Sequence, residues 1–492
     1  MTDVILSIDQ GTTGTTTIIF DRNLNVLAKG YQEIEQIYPR SGWVEHNLED
    51  IWKSVLTALE TTVQESGVSS SNIKAIGITN QRETAAVWNR QTGVPYHNAI
   101  VWQCRRTVDI CDALKKAGHE ELFSKKTGLL FDPYFSGTKL KWLFDNVSGL
   151  REEALTGKAV AGTIDTFLSW KLSGGQSHVT DVSNASRTLL MDLETLAWDE
   201  QLASILEVPL SVLPEIKGSA EIFGYTKDVP ILPDGIPICG IAGDQQAALF
   251  GQACFEPGEA KCTFGTGAFL LMNTGNTPLP SKNRLLTTVA WKLGDQATYA
   301  LEGSAFIAGA AVQWLRDGLE IIDSAQEIEK LAREVPDTGG VTLVPAFVGL
   351  GAPHWRSGAR GLISGLTRST TRAHLARAAL EGIALQNVEI LKAMESDSGR
   401  ELLRLKVDGG AAANDLLMQM QADFLGRLII RPAMLETTAL GAAFLAGLGA
   451  GIWKDTNDIA NAWKEDRTFS PQINDETRAA VLGRWGEAVN KA

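Results

Sequence analysis

Two α/β domains, each a mixed sheet covered by helices and facing the other across a cleft, are what the sequence predicts. Three observations predict them. The chain has 492 residues, 44% hydrophobic and 21% charged, a globular composition too long for one ordinary core. Extended apolar runs alternate with helix-patterned ones along the chain. The first half's habit of ending a strand in a loop of small polar residues returns, more weakly, in the second.

Residues 4–8 are an extended run ending in Asp9-Gln10-Gly11-Thr12-Thr13-Gly14, and residues 17–20 resume the strand pattern. The next segment predicts a helix: Asn47 is a cap, Glu49 and Asp50 lie in the first turn, Ile51, Val55, Leu59 and Val63 share a face, and Gly67 stops it. Residues 73–78 form a strand that runs into Thr79-Asn80-Gln81-Arg82-Glu83, after which residues 85–88 are apolar again. In the second half, residues 259–264 halt at Gly265-Thr266-Gly267, and residues 405–407 lead into Asp408-Gly409-Gly410 and on to Asn414. A long helix begins near Thr371, carries Leu380, Ala384, Val388 and Leu391 on one face, and stops at Gly399. Pro257 and Gly258 punctuate the chain between the halves, so domains of residues 1–253 and 254–492 are expected.

The net charge of −13 argues against nucleic acid and against an anionic membrane as partners. The amino-terminal MTDVILSIDQ has neither the basic stretch nor the long apolar run of a targeting segment, so residence in the cytoplasm is expected. Residues 437–453 are uncharged but broken by glycines, which suits a closely packed helix better than a membrane span. Five scattered cysteines without a CxxC pair predict buried, reduced thiols, and the six histidines have no metal-ligand spacing.

The strand ends carry the residue types that phosphoryl transfer needs: amides and hydroxyls around phosphates, a carboxylate for magnesium, and a base beside the attacking hydroxyl. In the first loop, Thr12 and Thr13 can donate to phosphate oxygens and Asp9 can hold Mg²⁺ or its waters. No Walker sequence occurs, and alone this loop reads equally as an ordinary turn. Its pairing with residues 265–267 and 408–410 favours a nucleotide wedged between two domains. Asp244 precedes a small-residue helix and is either its cap or a general base. Arg82 and Glu83 form either a solvated turn or the charged grip of a polyol pocket, with Trp102, Tyr134 and Phe269 as candidate walls or as core residues.

Residues 134–146 (YFSGTKLKWLFDN) resemble the first signature of the FGGY carbohydrate kinases, and Gly361 to Leu366 with His374, Leu375 and Ala378 to Glu381 resemble the second. The loops at residues 80–84, 101–107 and 132–134 are similar to those of family members that act on glycerol. The resemblance implies two actin-like ATPase (ribonuclease H-like) domains with an interdomain catalytic cleft, closing on MgATP. It implies transfer of the γ-phosphoryl group to glycerol, giving sn-glycerol 3-phosphate, with Asp244 as base. It places Arg82, Glu83, Trp102, Tyr134, Asp244, Gln245 and Phe269 around the polyol. The nucleotide falls to Thr12, Thr13, Gly14, Thr266, Gly309, Gln313, Gly410 and Asn414, and the metal to Asp9 and Asp244. A homodimer or homotetramer is also implied. Thr16 stands where many members carry Arg, which leaves one charged contact to the phosphates open. Two other readings stay in view: a kinase for another small polyol or triose such as dihydroxyacetone, and a non-kinase actin-like ATPase.

Overall fold

The computed structural model describes residues 3–356 and 358–492; Met1 and Thr2, which open the amino-terminal stretch read above, lie outside the described residues. The first sheet is built from β1 (Val4–Gln10), β2 (Gly14–Asp21), β3 (Val26–Glu33), β4 (Ile73–Asn80), β5 (Gly224–Tyr225) and β6 (Pro237–Gly243), in the order β5-β6-β4-β1-β2-β3. The second comprises β7 (Ala260–Phe264), β8 (Ala268–Gly275), β9 (Leu286–Leu293), β10 (Gln296–Ala305), β11 (Arg404–Asp408), β12 (Leu428–Pro432) and β13 (Glu465–Phe469), in the order β9-β10-β8-β7-β11-β12-β13.

The two sheets share a plan. In the first, β1, β2 and β3 form an antiparallel run, and β4 and then β6 add in parallel beside β1. In the second, β7, β8 and β10 form the antiparallel run, and β11 and then β12 add in parallel beside β7. The weak echo in the sequence is thus a duplicated topology, with matching strand ends at matching places.

The predicted helices form where their caps are. Helix α1 (Leu48–Ser66) begins with Asn47 accepting from the amides of Glu49 and Asp50 at 2.8 and 3.3 Å, and ends at Gly67 with φ 62°. The long α5 (Arg372–Ser398) follows α2 (Ser136–Asn146), α3 (Asp244–Gly251) and α4 (Gly309–Asp317), and buries Leu380, Ala384, Val388 and Leu391. The first strand outruns its expected end: Asp9 and Gln10 pair with Thr16 and Thr15, so the turn proper is confined to residues 11–13 and Gly14 already belongs to β2.

After α6 (Asp415–Leu425), α7 (Thr437–Gly449) fulfils the expectation of a closely packed apolar helix, and it does so across the chain's two halves. It lies against α3, β6, β4 and β1, on the first sheet. Approach is close enough that a Cβ on Gly441 would fall 1.8 Å from the Ala247 carbonyl oxygen, a contact only glycine permits. No helix among the described residues is long and apolar enough to cross a membrane. All five cysteines are free and buried.

Candidate active site

Asp9, Arg82, Glu83 and Asp244 come together because three neighbouring parallel strands end in one place. Asp9 sits opposite Thr79, and Asn80 opposite Gly243, so β1, β4 and β6 deliver their following residues to one edge, where open α/β sheets bind ligands. The Gln81 amide donates to the Gln10 carbonyl at 2.7 Å, fastening the β4 exit to the first loop. Glu83 then takes φ 57°, a left-handed conformation costly for a residue with a Cβ, and this turns two successive charged side chains inward.

The solvated-turn reading of this pair is overturned. Arg82 and Glu83 side chains are 2% and 1% exposed. Arg82 Nη1 donates to Glu302 Oε2 at 2.5 Å and Gln246 Oε1 at 3.2 Å; Nη2 donates to Glu302 Oε1 at 3.0 Å and the Tyr134 hydroxyl at 3.2 Å. Its Nε lies 3.1 Å from Asp244 Oδ1. Arg187 donates from Nε to Glu83 Oε1 at 2.7 Å and from Nη2 to Glu302 Oε1 at 2.9 Å. Two guanidiniums and two carboxylates thus form a closed buried circuit that joins the first sheet's edge to β10 of the second.

Sequence reasoning missed Arg187 and Glu302. Glu302 carried a signal, the only charged side chain of its strand and a buried one, which is expensive unless paired. Arg187 lies past a single helical turn, Val182–Ala185, where spacing says nothing about direction. Burial disfavours the charge on Glu302, but Arg187 and Arg82 outweigh it and lower its pKa to about 2. On Glu83 burial prevails over both guanidiniums and the pKa is raised.

With its Nη protons committed to protein acceptors, Arg82 orients the pocket more than it reads hydroxyls. Tyr134, which accepts from Arg82, keeps its own O–H to donate. Lys261 plays the same part for Gln245. Fully buried on β7, its ammonium donates to Gln245 Oε1, to Thr263 Oγ1 at 2.8 Å and to the Phe269 carbonyl at 3.4 Å. Lysine only donates, so the Gln245 oxygen is turned to it and the Gln245 NH₂ is left to face a ligand. Lys261 too was missed, a lone cation inside a strand.

Asp244 opens α3 but does not cap it in the usual way: its Oδ1 accepts only from the adjacent Gln245 amide, at 2.7 Å, and its side chain remains 31% exposed. Burial raises its pKa above the usual carboxylate value against the pull of Arg82 and Lys261. Asp9 is pushed up to about 8, by burial first and by the Asp244 charge second. Two carboxylates raised by burial, the charge of Asp244 adding to the rise on Asp9, are an oxygen-only donor pair short of a cation. That chemistry fits magnesium, which binds through one or two carboxylates and substrate phosphates.

The aromatic candidates also assemble. Trp102 packs edge-on to Tyr134 at 5.6 Å and to Phe269 at 6.3 Å, one from each half of the chain. In the second sheet, Thr266 lies at the carboxyl end of β7, and Gly309 opens α4 against it, its amide donating to the Gly265 carbonyl at 3.0 Å. A Cβ on Gly309 would stand 2.7 Å from that oxygen, hence glycine. Gln313 is exposed one turn further along α4. Gly410 follows the end of β11, beside β7, and Asn414 caps α6 by accepting from the Leu417 amide at 2.9 Å. Gly14 is buried against Tyr31 and Gln32. The polyol candidates therefore form one connected cluster, with Thr12 joined to it through Trp102 Nε1 at 2.9 Å; Thr266, Gly309, Gln313, Gly410 and Asn414 line strand ends of the second sheet.

Known proteins resemble this chain over its whole length. A glycerol kinase of Myxococcus xanthus is 57% identical over 490 residues, covering 99% of each chain, and one of Bdellovibrio bacteriovorus is 55% identical over 492 residues, covering 100% of this chain and 99% of its own. The crystal structure of Plasmodium falciparum glycerol kinase with ADP superposes with a TM-score of 0.93 at 41% identity, covering 100% of this chain and 98% of that one. A gluconate kinase from Lactobacillus acidophilus, at 22% identity and a TM-score of 0.89, shares the fold. Residues 4–251 match the N-terminal domain of the FGGY family of carbohydrate kinases and residues 260–450 match its C-terminal domain. The chain belongs to the FGGY family of carbohydrate kinases.

Proposed function

We propose that this chain phosphorylates glycerol with ATP, giving sn-glycerol 3-phosphate and ADP. The observation that carries this reading is the meeting of Asp244 with a cluster of buried donors, acceptors and aromatic rings: Arg82 Nε stands 3.1 Å from Asp244 Oδ1, and Tyr134, Gln245, Glu83, Trp102 and Phe269 gather about them. A non-kinase ATPase has no use for such a cluster. We read residues 1–253 and 254–492 as the two domains, with the polyol between their sheets.

The Tyr134 hydroxyl and the Gln245 amide donate to polyol oxygens, and Glu83, whose Oε1 is held by Arg187, accepts from a polyol hydroxyl through Oε2. The rings of Trp102 and Phe269 cover the carbon skeleton and exclude water. Asp244 takes the proton of the terminal hydroxyl as that oxygen bonds to the γ-phosphorus and the bridging oxygen leaves with ADP. Its raised pKa makes it a better proton acceptor than an ordinary carboxylate. Thr12, Thr13 and Thr266 donate to the γ-phosphoryl oxygens, and Gly309, Gln313, Gly410 and Asn414 bear the remainder of the nucleotide. Asp9 and Asp244 would hold magnesium, which when bound would supply charge neutralisation on the phosphates. A coupled assay of ADP release with glycerol, dihydroxyacetone, erythritol and no polyol tests the reading. Release that glycerol does not stimulate, or stimulates less than another polyol does, would reject it.

A further inference from the structure

Trp102 touches more than the polyol wall. Its indole Nε1 donates to Thr12 Oγ1 at 2.9 Å, while its ring stands edge-on to Tyr134 and Phe269. The backbone behind it is pinned as well: Trp102 N donates to Thr84 Oγ1 at 3.3 Å, and that hydroxyl donates to Gln81 Oε1 at 2.8 Å. On the other side of the bond, the Thr12 turn is closed by the Gly11 amide on the Gly14 carbonyl at 2.9 Å and by Gln36 Nε2 on the Thr12 carbonyl at 2.8 Å. Both partners are thus held at the backbone, and the indole–hydroxyl bond joins their side chains.

An indole N–H only donates. Thr12 Oγ1 is therefore the acceptor, and its own proton must point away from the indole. A threonine hydroxyl free to rotate meets an incoming phosphate with its lone pairs or its proton; one locked by an indole meets it with the proton. Hydrogen bonds from O–H to an anionic oxygen are among the stronger kind.

We propose that Trp102 is a positioning residue for the phosphate loop: it sets the Thr12 hydroxyl as a donor to the nucleotide's γ-phosphate, and so joins the polyol wall to the phosphate grip. The proposal rests on the reading of the chain as a polyol kinase. A polyol packed against the ring steadies the indole and through it Thr12, so each substrate tightens the binding of the other by the same factor.

The experiment compares wild type, Trp102→Phe, Thr12→Val and the double variant in kcat/KM for ATP at saturating glycerol, in KM for glycerol, and in calorimetric affinity for a non-hydrolysable ATP analogue with magnesium. Phenylalanine keeps a smaller aromatic wall and removes the N–H. Trp102→Phe is expected to lose about tenfold in kcat/KM for ATP with KM for glycerol changed no more than about threefold, and the double variant is expected to be no worse than Thr12→Val alone. Thr12→Ser, which retains the hydroxyl, is expected to remain sensitive to Trp102→Phe. Losses that multiply in the double variant, or a loss confined to KM for glycerol, overturn the proposal. A wild type whose ADP release ignores glycerol defeats the kinase reading instead, and the analogue affinities of the same proteins then decide the Trp102–Thr12 link on their own.

Discussion

Glu302, in the second sheet, holds Arg82, at the edge of the first, with both carboxylate oxygens, at 2.5 and 3.0 Å. The bidentate pair is buried and joins the two sheets, so the proposed polyol pocket is assembled by both halves of the chain before any substrate arrives. Preorganisation of this kind avoids the cost of ordering charged side chains during binding.

Replacing Glu302 with Gln keeps the shape and removes the charge that Arg82 and Arg187 share. Breaking a buried pair from one side leaves the other charge uncompensated, at about 3–5 kcal/mol. The variant is expected to unfold at lower denaturant concentration and to show a raised KM for glycerol, with KM for ATP less affected. Equal stability and an unchanged glycerol KM would show that the circuit is incidental.

Asp244→Asn is the sharper chemical test. The amide cannot accept a proton from the polyol, and general-base assistance is worth roughly 10²–10⁴ in rate. We expect kcat to fall by that range while glycerol still binds, read by calorimetry on the variant. Near-normal turnover would remove Asp244 from the role of base.

Lys261 makes a prediction about orientation. Lys261→Met leaves the Gln245 amide free to flip and removes a positive charge that faces Asp244. KM for glycerol is expected to rise about tenfold, the scale of one lost hydrogen bond to a substrate hydroxyl. Lys261→Arg, which still only donates, should recover part of the loss; a methionine variant with wild-type KM would mean that Gln245 needs no such partner.

These residues also mark how far the sequence could be read. Strand ends, caps and the helix from Leu48 to Ser66 were legible because each rests on a local rule: Asn47 at an N-cap, Gly67 at a left-handed stop. Arg82, Glu83 and Asp244 were legible as candidates because they follow strands. Their partners were not, since Glu302 lies 220 positions from Arg82 and Arg187 lies 104 from Glu83, and only the packing of two sheets brings them together. The committed state of Arg82 was invisible for the same reason. Sequence reasoning gave it hydroxyls to read; the fold gives its Nη protons to Glu302, Gln246 and Tyr134.

Lys139, on α2, is fully buried, and its ammonium donates to the carbonyls of Tyr134 and, at 3.1 Å, Phe135. Burial lowers its pKa from 10.5 to about 8, against the opposing pull of Glu83. The sign follows from proton counts. Between about pH 8 and pH 10.5 the unfolded chain keeps this proton and the folded chain has released it, so stability rises with pH across that window. Below it, holding the buried charge costs on the order of 3 kcal/mol. In Lys139→Met this contribution to the slope is absent. The stability difference between variant and wild type, measured by denaturant unfolding from pH 7 to pH 10, should therefore shift in favour of the wild type as pH rises. A difference that stays constant across the range would show that Lys139 keeps its proton throughout, and that its two carbonyl acceptors compensate for burial more fully than its lowered pKa implies.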